Sequence, residues 1–315
     1  MHSLTGKSFR YTESEGKMSI AEILKKEGIR EFSKDIRIMS TKELKANFSA
    51  VSSKEPKATL IIKNQIWQTY RRISIKREPA TEGNLRSYWY SHIKPTLARV
   101  SLLSGYDHYE TMLTCFVKMV RDYQLFRYAD FGFDDDNWEN RRIATKMPNV
   151  ILFAEKAGWF RTLKEFHDEY GMTIFALGGS PSLLSSEYLV KHLSEVTTLK
   201  QKFYLISAVD YDPAGFIIAN AFVEQLKAQG ILDFELVHII TLQSYTPEEI
   251  ELFKFPIPSK QATKVAKWLK ATGGIGGKAF GLEADSMPRS RFKELMRKVL
   301  DAFPKAKVNK SSQKK

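Results

Sequence analysis

The sequence is almost without cysteine and has no long apolar run. Cys115 is the only cysteine among 315 residues, and the six histidines are spread along the chain without a close ligand pair. These absences exclude a disulfide scaffold and a zinc site built from Cys and His. The longest apolar stretches, such as the four residues before Ser207, fall far short of the roughly 20 residues that span a bilayer.

A secretory signal is not expected either, because the first 17 residues contain no apolar segment of the kind that signal peptides require. Hydrophobic residues make up 43% of the chain and charged residues 27%, which is typical of a globular rather than a disordered protein. The length leaves room for two ordinary domains. We therefore expect an intracellular, soluble protein with no membrane partner.

Positive charge, by contrast, is present in excess. Lys and Arg number 49 and Asp and Glu 36, a net charge of +13. Residues 61–100 carry eight basic side chains against two acidic ones, and the residues after Pro304 add five lysines, whereas residues 146–301 are nearly neutral. A basic N-terminal half favours a module that binds a polyanion such as nucleic acid, with a merely solubilising surface as the alternative.

The hydrophobic pattern changes near residue 147. Before it, apolar residues recur at helical spacing in four segments, 20–29, 59–73, 84–100 and 108–126. The aromatic, turn-rich segment 127–142 that follows predicts a short hairpin. Helices followed by a hairpin predict a winged-helix domain over residues 59–146, preceded by an N-terminal extension over 1–58.

After residue 147, β-rich segments alternate with amphipathic segments of helical length. This alternation predicts parallel βαβ units and an open, doubly wound sheet over residues 147–303, followed by a basic tail over 304–315. Ser180 and Pro181 suit the N-cap and first position of the second helix in this half. The predicted fold class is therefore α/β, with a helical domain before a parallel sheet domain.

Three acidic residues follow two of the predicted strands. Glu155 ends the first strand of the second half, and Asp210 and Asp212 end the third. Residues two apart on a strand share a face, so the two aspartates point the same way. Oxygen ligands at adjacent strand ends suit Mg²⁺, which takes one or two carboxylates and keeps several waters. The alternative is that strand-end acids are solvated or cap the following helix.

The motifs around these acids resemble those of the Toprim domain, and more closely those of the topoisomerase VI A subunit and the related meiotic double-strand-break transesterases. The similar segments are AEKAGWFRTL, LGGSPSLLSSEYL, VDYDPAG and FGLEADSMPRSRFKELM. The resemblance covers residues 147–300. It implies that a winged-helix domain precedes a Toprim domain.

The same family carries a nucleophilic tyrosine in the pattern R-x-x-aromatic-Y, which LRSYWYSHIKP matches with Arg86, Trp89 and Tyr90. The resemblance implies that Tyr90 is the nucleophile and Tyr88 its neighbour, although the family commonly has a second tyrosine where Trp89 stands. Arg86 and Tyr90 are four residues apart and share a helix face. A guanidinium there favours the ionised hydroxyl and can hold a phosphate.

By this resemblance the protein would cleave double-stranded DNA with Mg²⁺ held by Glu155, Asp210 and Asp212, forming a covalent 5′-phosphotyrosyl link. Cutting both strands requires two active sites, hence a homodimer, and a separate B-type ATPase subunit is a possible partner. Such a protein would be cytoplasmic and nucleoid-associated, or nuclear. The residues expected to contact DNA are Arg71, Arg72, Lys76, Arg77, Lys94 and Lys156.

Two other functions stay open from the sequence. One is a Toprim nuclease that uses water as its nucleophile, with Tyr90 structural. The other is a DNA-binding or assembly protein without catalysis. The sequence also leaves open whether Glu283 and Asp285 support the metal site or hold the last helix.

Overall fold

The computed structural model divides the chain into two compact units, Met1–Phe133 and Asp134–Lys315. The first is helical, and the second combines helices with a five-stranded, mostly parallel sheet. None of the described helices has both the length and the hydropathy needed to span a membrane. The predicted basic tail lies outside the described residues, as does part of the predicted N-terminal extension. The structure describes residues 18–49, 55–81, 83–103, 108–258 and 262–302.

The helices of the first unit confirm the four predicted helical segments. A π-helical segment, Trp89–Ile93, joins α4 to α5, and a second, Lys118–Asp122, extends α6. Serine side chains cap the first two helices in reciprocal boxes with a glutamate three residues on. The α-helices are α1 (Ile20–Glu27), α2 (Thr41–Phe48), α3 (Ala58–Ser74), α4 (Leu85–Tyr88), α5 (Lys94–Ala98) and α6 (Tyr109–Val117).

The core of the first unit is strongly aromatic. The Tyr88 ring contacts Phe116, Phe131 and Phe133 edge to face at centroid distances of 5.6–5.9 Å. All four side chains are fully buried. Edge-to-face packing of this kind adds specific attraction to the burial of apolar area, so it fixes α4 against α6 and the chain that follows.

The second unit is built on a sheet whose strands run in the order β1-β3-β2-β4-β5. Strands β2 to β5 are parallel, as predicted, and β1 pairs antiparallel with β3. A separate two-stranded ribbon joins β6 and β7. The strands are β1 (Arg141–Arg142), β2 (Met147–Ala154), β3 (Met172–Ala176), β4 (Phe203–Ala208), β5 (Phe234–His238), β6 (Phe255–Pro256) and β7 (Phe280–Gly281). The helices are α7 (Phe160–Tyr170), α8 (Leu183–Val196), α9 (Pro213–Ala228), α10 (Pro247–Phe253), α11 (Ala262–Thr272) and α12 (Arg289–Ala302).

Helices cover both faces of the sheet, as the doubly wound prediction required. Leu152 and Ala154 pack on one face with apolar residues of α7 and α12. Ile151 and Phe153 pack on the other face with residues of α8 and α9. Because both faces are buried, the strands are apolar almost throughout instead of alternating with polar residues.

The predicted hairpin over 127–142 is wrong. That segment forms two 3₁₀ turns, Tyr128–Asp130 and Trp138–Asn140, and then the edge strand β1. Its aromatic end is buried in the core of the first unit, whereas Arg141 is buried in the second, paired with Asp135 and bonded to the Ser185 carbonyl. The two ends of the segment therefore belong to different cores and do not pair with each other.

The predicted start of α8 is wrong by two residues. The helix begins at Leu183 with Ser182 as N-cap, not at Ser180 and Pro181. Gly178 and Gly179 both have positive φ, 71° and 113°, and the Gly179 amide donates to the Glu155 carbonyl at 2.8 Å. This bond ties the loop after β3 to the end of β2 ahead of the helix.

Candidate functional sites

The carboxyl ends of β2 and β4 form the switch point of the sheet. From β2 the chain passes to β3 on one side and then crosses to β4 on the other, with Ala154 directly opposite Ala208. In open α/β sheets ligands bind in the crevice outside the strand ends at this point. Glu155 follows β2, and Asp210 and Asp212 follow β4, so the structure brings the three predicted acids to the same crevice.

Glu155 is a half-buried carboxylate whose environment opposes its negative charge. Burial is the main cause that raises the pKa of its carboxyl, and the charges of Asp210 and Asp212 raise it further. One carboxylate oxygen, Oε2, is buried and has no hydrogen-bond partner among the described residues. A buried, unpaired carboxylate oxygen is costly unless a cation or a proton satisfies it.

Asp210 is held in place by the backbone of a distant segment. Its Oδ1 accepts a hydrogen bond of 2.7 Å from the Ala284 amide, and its Oδ2 lies 3.5 Å from the Lys156 Nζ. Burial nevertheless raises the pKa of this carboxyl, more than the Ala284 hydrogen bond and Lys156 lower it. Asp210 is therefore a second carboxylate whose negative charge is not fully compensated by the groups around it.

Asp212 caps the helix that follows it, which is the alternative role that the sequence left open for a strand-end acid. Its Oδ1 accepts from the Gly215 amide at 2.7 Å and so caps α9. A Cβ at Gly215 would lie 2.2 Å from the Asp210 carbonyl oxygen, so the residue there has to be glycine. The turn that follows the two aspartates thus fixes the backbone that carries both.

Lys156 lies among acids that come from two other parts of the chain. Its Nζ is 2.8 Å from Asp285 and 3.5 Å from both Asp210 and Glu283. Burial lowers the pKa of Lys156, but the hydrogen bond to Asp285 and the charge of Asp210 raise it overall. Lys156 was predicted to contact DNA; in this structure its ammonium group neutralises part of the acidic cluster.

Asp285 connects the acidic crevice to the loop after β2. Besides Lys156 it accepts from the Trp159 indole at 2.8 Å, and the Lys156 bond is the main cause that lowers the pKa of its carboxyl. The segment reaches the crevice because Leu282 and Tyr211 exchange two backbone hydrogen bonds, of 2.9 and 3.1 Å. No spacing in the sequence indicates a contact between residues 129 apart, which is why the sequence left the role of Asp285 open.

The acids fit Mg²⁺ in their chemistry, although they do not form a complete ligand set. In the part of the chain that the structure describes, no group of three or more His, Cys, Asp or Glu side chains could hold a metal ion by itself. Magnesium needs only one or two protein carboxylates. The unpaired Oε2 of Glu155 and the poorly compensated Asp210 are the two groups that would provide them.

Tyr90 is on the surface of the first unit, in the π-helical segment Trp89–Ile93. Its side chain is 50% exposed. The Arg86 guanidinium lies 6.0 Å from the centre of its ring, and the Lys94 Nζ lies 4.8 Å from it. The structure thus places three predicted site residues together, and π-helical turns of this kind are frequent at functional sites.

Tyr88 has the opposite environment. It is fully buried, and its hydroxyl donates to Thr69 Oγ1 at 3.1 Å. Burial raises the pKa of this hydroxyl strongly. Of the two tyrosines, only Tyr90 presents a hydroxyl that a polymer could reach.

The other residues predicted to bind DNA differ in how accessible their charge is. Lys76 and Arg77 are exposed and make no ion pair within the described residues. Arg71 is exposed and lies 3.5 Å from Glu31. Arg72, by contrast, is half-buried and bonded to Asp35 at 2.7 Å, so its charge is already compensated inside the unit.

Comparison with known proteins adds no relative: no protein-family model matches the chain, and no curated protein matches it. The function therefore has to be argued from the chemistry of the two sites and from the motifs in the sequence.

Proposed function

We propose that the protein is a Mg²⁺-dependent transesterase that cleaves double-stranded DNA, with Tyr90 as its nucleophile. In this proposal the helical first unit is the DNA-binding domain, without the predicted wing, and the second unit is a Toprim domain. The motif resemblance supports the assignment, and so does the position of Glu155 and Asp210 at the switch point of the parallel sheet.

The observation that carries the proposal is the contrast between the two tyrosines. Tyr90 is half exposed between the cations of Arg86 and Lys94, whereas Tyr88 is sealed in the aromatic core. A phosphate that approaches Tyr90 meets two positive charges that can hold it. A surface tyrosine kept only for packing has no need of this arrangement.

In the proposed step the Tyr90 oxygen bonds to a backbone phosphorus while the bond between that phosphorus and the 3′ oxygen breaks. The tyrosine loses its proton and the departing 3′ oxygen gains one, so the 5′ phosphate stays on the protein as a phosphotyrosyl diester. Neither water nor ATP is consumed. The exchange of one phosphodiester for another allows the strand to be resealed by the reverse reaction.

The carboxylates of the second unit would hold the metal that the reaction requires. When bound, Mg²⁺ supplies positive charge that stabilises the phosphate oxygens and the leaving oxygen. Glu155 and Asp210 would hold it, and Asp212 keeps the backbone of Asp210 in position through its cap on α9. Lys156 neutralises part of the negative charge of the acids and so reduces their repulsion of a phosphate.

Each active site breaks one strand, so a double-strand break requires a homodimer. Duplex DNA is the proposed substrate, and a separate B-type ATPase subunit would supply any strand passage that needs ATP. Such an enzyme would act in the compartment that holds the chromosome, in the nucleoid-associated cytoplasm or in the nucleus.

The decisive experiment compares Tyr90→Phe with Tyr88→Phe. Each protein is incubated with duplex DNA and Mg²⁺, the reaction is stopped with denaturant, and covalent protein–DNA adducts are counted. Tyr90→Phe removes the proposed nucleophile and should abolish the adduct while leaving the fold intact. Tyr88→Phe removes a buried hydrogen bond, so it should cost about 1 kcal/mol of stability and keep the adduct.

Two results would contradict the proposal. An adduct that survives Tyr90→Phe at the wild-type level would show that Tyr90 is not the nucleophile. Cleavage by the wild-type protein without any adduct would instead indicate that water attacks the phosphate, which is the reaction of a hydrolytic nuclease.

A further inference from the structure

A cavity of about 220 Å³ opens at the carboxyl ends of β4 and β5, beside the acidic crevice. Its lining includes both Asp210 and Asp212, so a ligand in it would touch the residues of the proposed metal site. Sites for drug-sized molecules are larger, about 300–1,000 Å³. The volume suits one small planar group and not an extended ligand.

The inner wall of the cavity is aromatic and rigid. Phe216 of α9 is partly exposed and lines the space, whereas Trp268 of α11 also lines it but is 1% exposed and leaves almost no surface to a ligand. The Tyr211 ring meets Trp268 edge to face at 5.4 Å, and its hydroxyl donates to the Gly274 carbonyl at 3.2 Å. These contacts tie the tryptophan to the strand that carries the aspartates, so the wall has a fixed distance from the acids.

The opening of the cavity is polar. Gln243 and His238 line it and are exposed. Thr241, which is partly buried, lines it as well. An aromatic wall with hydrogen-bonding groups at the rim is the combination that proteins use to hold a nucleobase, which has apolar faces and a polar edge.

We propose that this cavity holds the base of a nucleotide whose phosphate lies at Glu155 and Asp210. The proposal rests on the proposed function, because it takes the phosphate position from the metal site. Asp210 lines the cavity and is also a proposed metal ligand, so a base in the cavity would be a neighbour of its own phosphate at the metal. The nucleotide would be one unit of a DNA strand whose base leaves the stack, or a free nucleotide with the same chemistry.

The test measures binding of small probes to the full-length protein by calorimetry. Deoxyadenosine monophosphate and thymidine monophosphate are compared with deoxyribose 5-phosphate, all in the presence of Mg²⁺. The nucleotides should bind about tenfold more tightly or better, because the base stacks in the cavity. Equal affinity of all three probes would overturn the proposal.

Gln243→Trp adds bulk at the opening and should remove the preference for nucleotides over deoxyribose 5-phosphate. The matched control is Leu232→Trp, which adds the same side chain at an exposed position before β5, at the amino end of that strand and away from the cavity. The control should keep the preference. A preference that survives Gln243→Trp would show that the base binds elsewhere.

Two further arms separate this proposal from the proposed function and distinguish the two sources of the nucleotide. Deoxyadenosine has no phosphate, so saturable binding that Gln243→Trp abolishes would support the cavity even if neither Mg²⁺ binding nor an adduct were found.

An oligonucleotide with 2-aminopurine would become more fluorescent if the base leaves the stack to enter the cavity. Unchanged fluorescence together with binding of the free nucleotide would identify the free form as the ligand.

Discussion

Glu155 is the residue at which function and stability are most clearly opposed. Its raised pKa means that the folded protein binds a proton here more readily than the unfolded chain does. As the pH rises above 4.5, the ordinary pKa of a glutamate carboxyl, the unfolded chain ionises first, so this carboxyl makes the fold progressively less stable until the pH passes the folded pKa. A carboxyl group that destabilises the fold in this way is a candidate for catalysis or binding.

We expect Glu155→Gln to raise the thermal stability of the metal-free protein at pH 7 and to flatten its decline between pH 4.5 and neutrality. The amide removes the buried charge and can donate a hydrogen bond where Oε2 now has no partner. The same variant should lose the stabilisation that Mg²⁺ gives the wild-type protein, and with it DNA cleavage. Melting curves across pH, with and without Mg²⁺, would check this, and a variant less stable than wild type at neutral pH would contradict it.

At the scale of elements, the sequence predicted most of the fold because burial dictated it. The parallel strands are mostly apolar and most helices have clear helical spacing, so the type and order of these elements could be predicted, whereas the short helices α2 and α10 were not. The hairpin over 127–142 could not be excluded, because nothing local shows that Phe131 and Arg141 are buried in different cores. The carboxylate site was predictable because its acids stand at strand ends. Asp285 and Trp268 reach it through contacts with residues far away in the sequence, which no local pattern indicates.

The turn between β4 and α9 is the element that most directly positions the proposed site. A Cβ on Gly215 would meet the Asp210 carbonyl oxygen at 2.2 Å, and this neighbour is backbone that cannot rotate away. Gly215→Ala should therefore destabilise the protein by about 1–3 kcal/mol and weaken Mg²⁺ binding, because the backbone of Asp210 has to move.

The matched control for that substitution is Gly158→Ala, in the loop after β2. A Cβ there has no atom within 4 Å, so the change in stability should stay within about 0.5 kcal/mol. Denaturant unfolding and Mg²⁺ titration of both variants give the comparison. Equal stability of the two variants would show that the turn tolerates displacement and does not fix Asp210.

At the scale of the whole molecule, the net charge of +13 overstates the charge available to DNA. Within the first unit Arg37, Arg72 and Lys63 are paired with carboxylates, and those pairs hold the helices together. Among the residues predicted to contact DNA, Lys76 and Arg77, just after α3, are exposed, and so is Arg86 beside Tyr90. The affinity for DNA should therefore depend on a few exposed side chains and not on total charge.

This distinction predicts how affinity responds to salt. For duplex DNA the logarithm of the binding constant falls with the logarithm of salt concentration by about 0.9 for each phosphate neutralised. The double variant of Lys76→Ala and Arg77→Ala should lower that slope by about 1.8 if each side chain contacts one phosphate. Arg72→Ala should leave the slope unchanged and lower stability instead, because its guanidinium is bonded to Asp35. Fluorescence anisotropy of labelled duplex DNA between low and moderate salt gives the slopes. A slope unchanged in the double variant would show that this basic surface only solvates the protein, and the DNA-binding assignment of the first unit would fall with it.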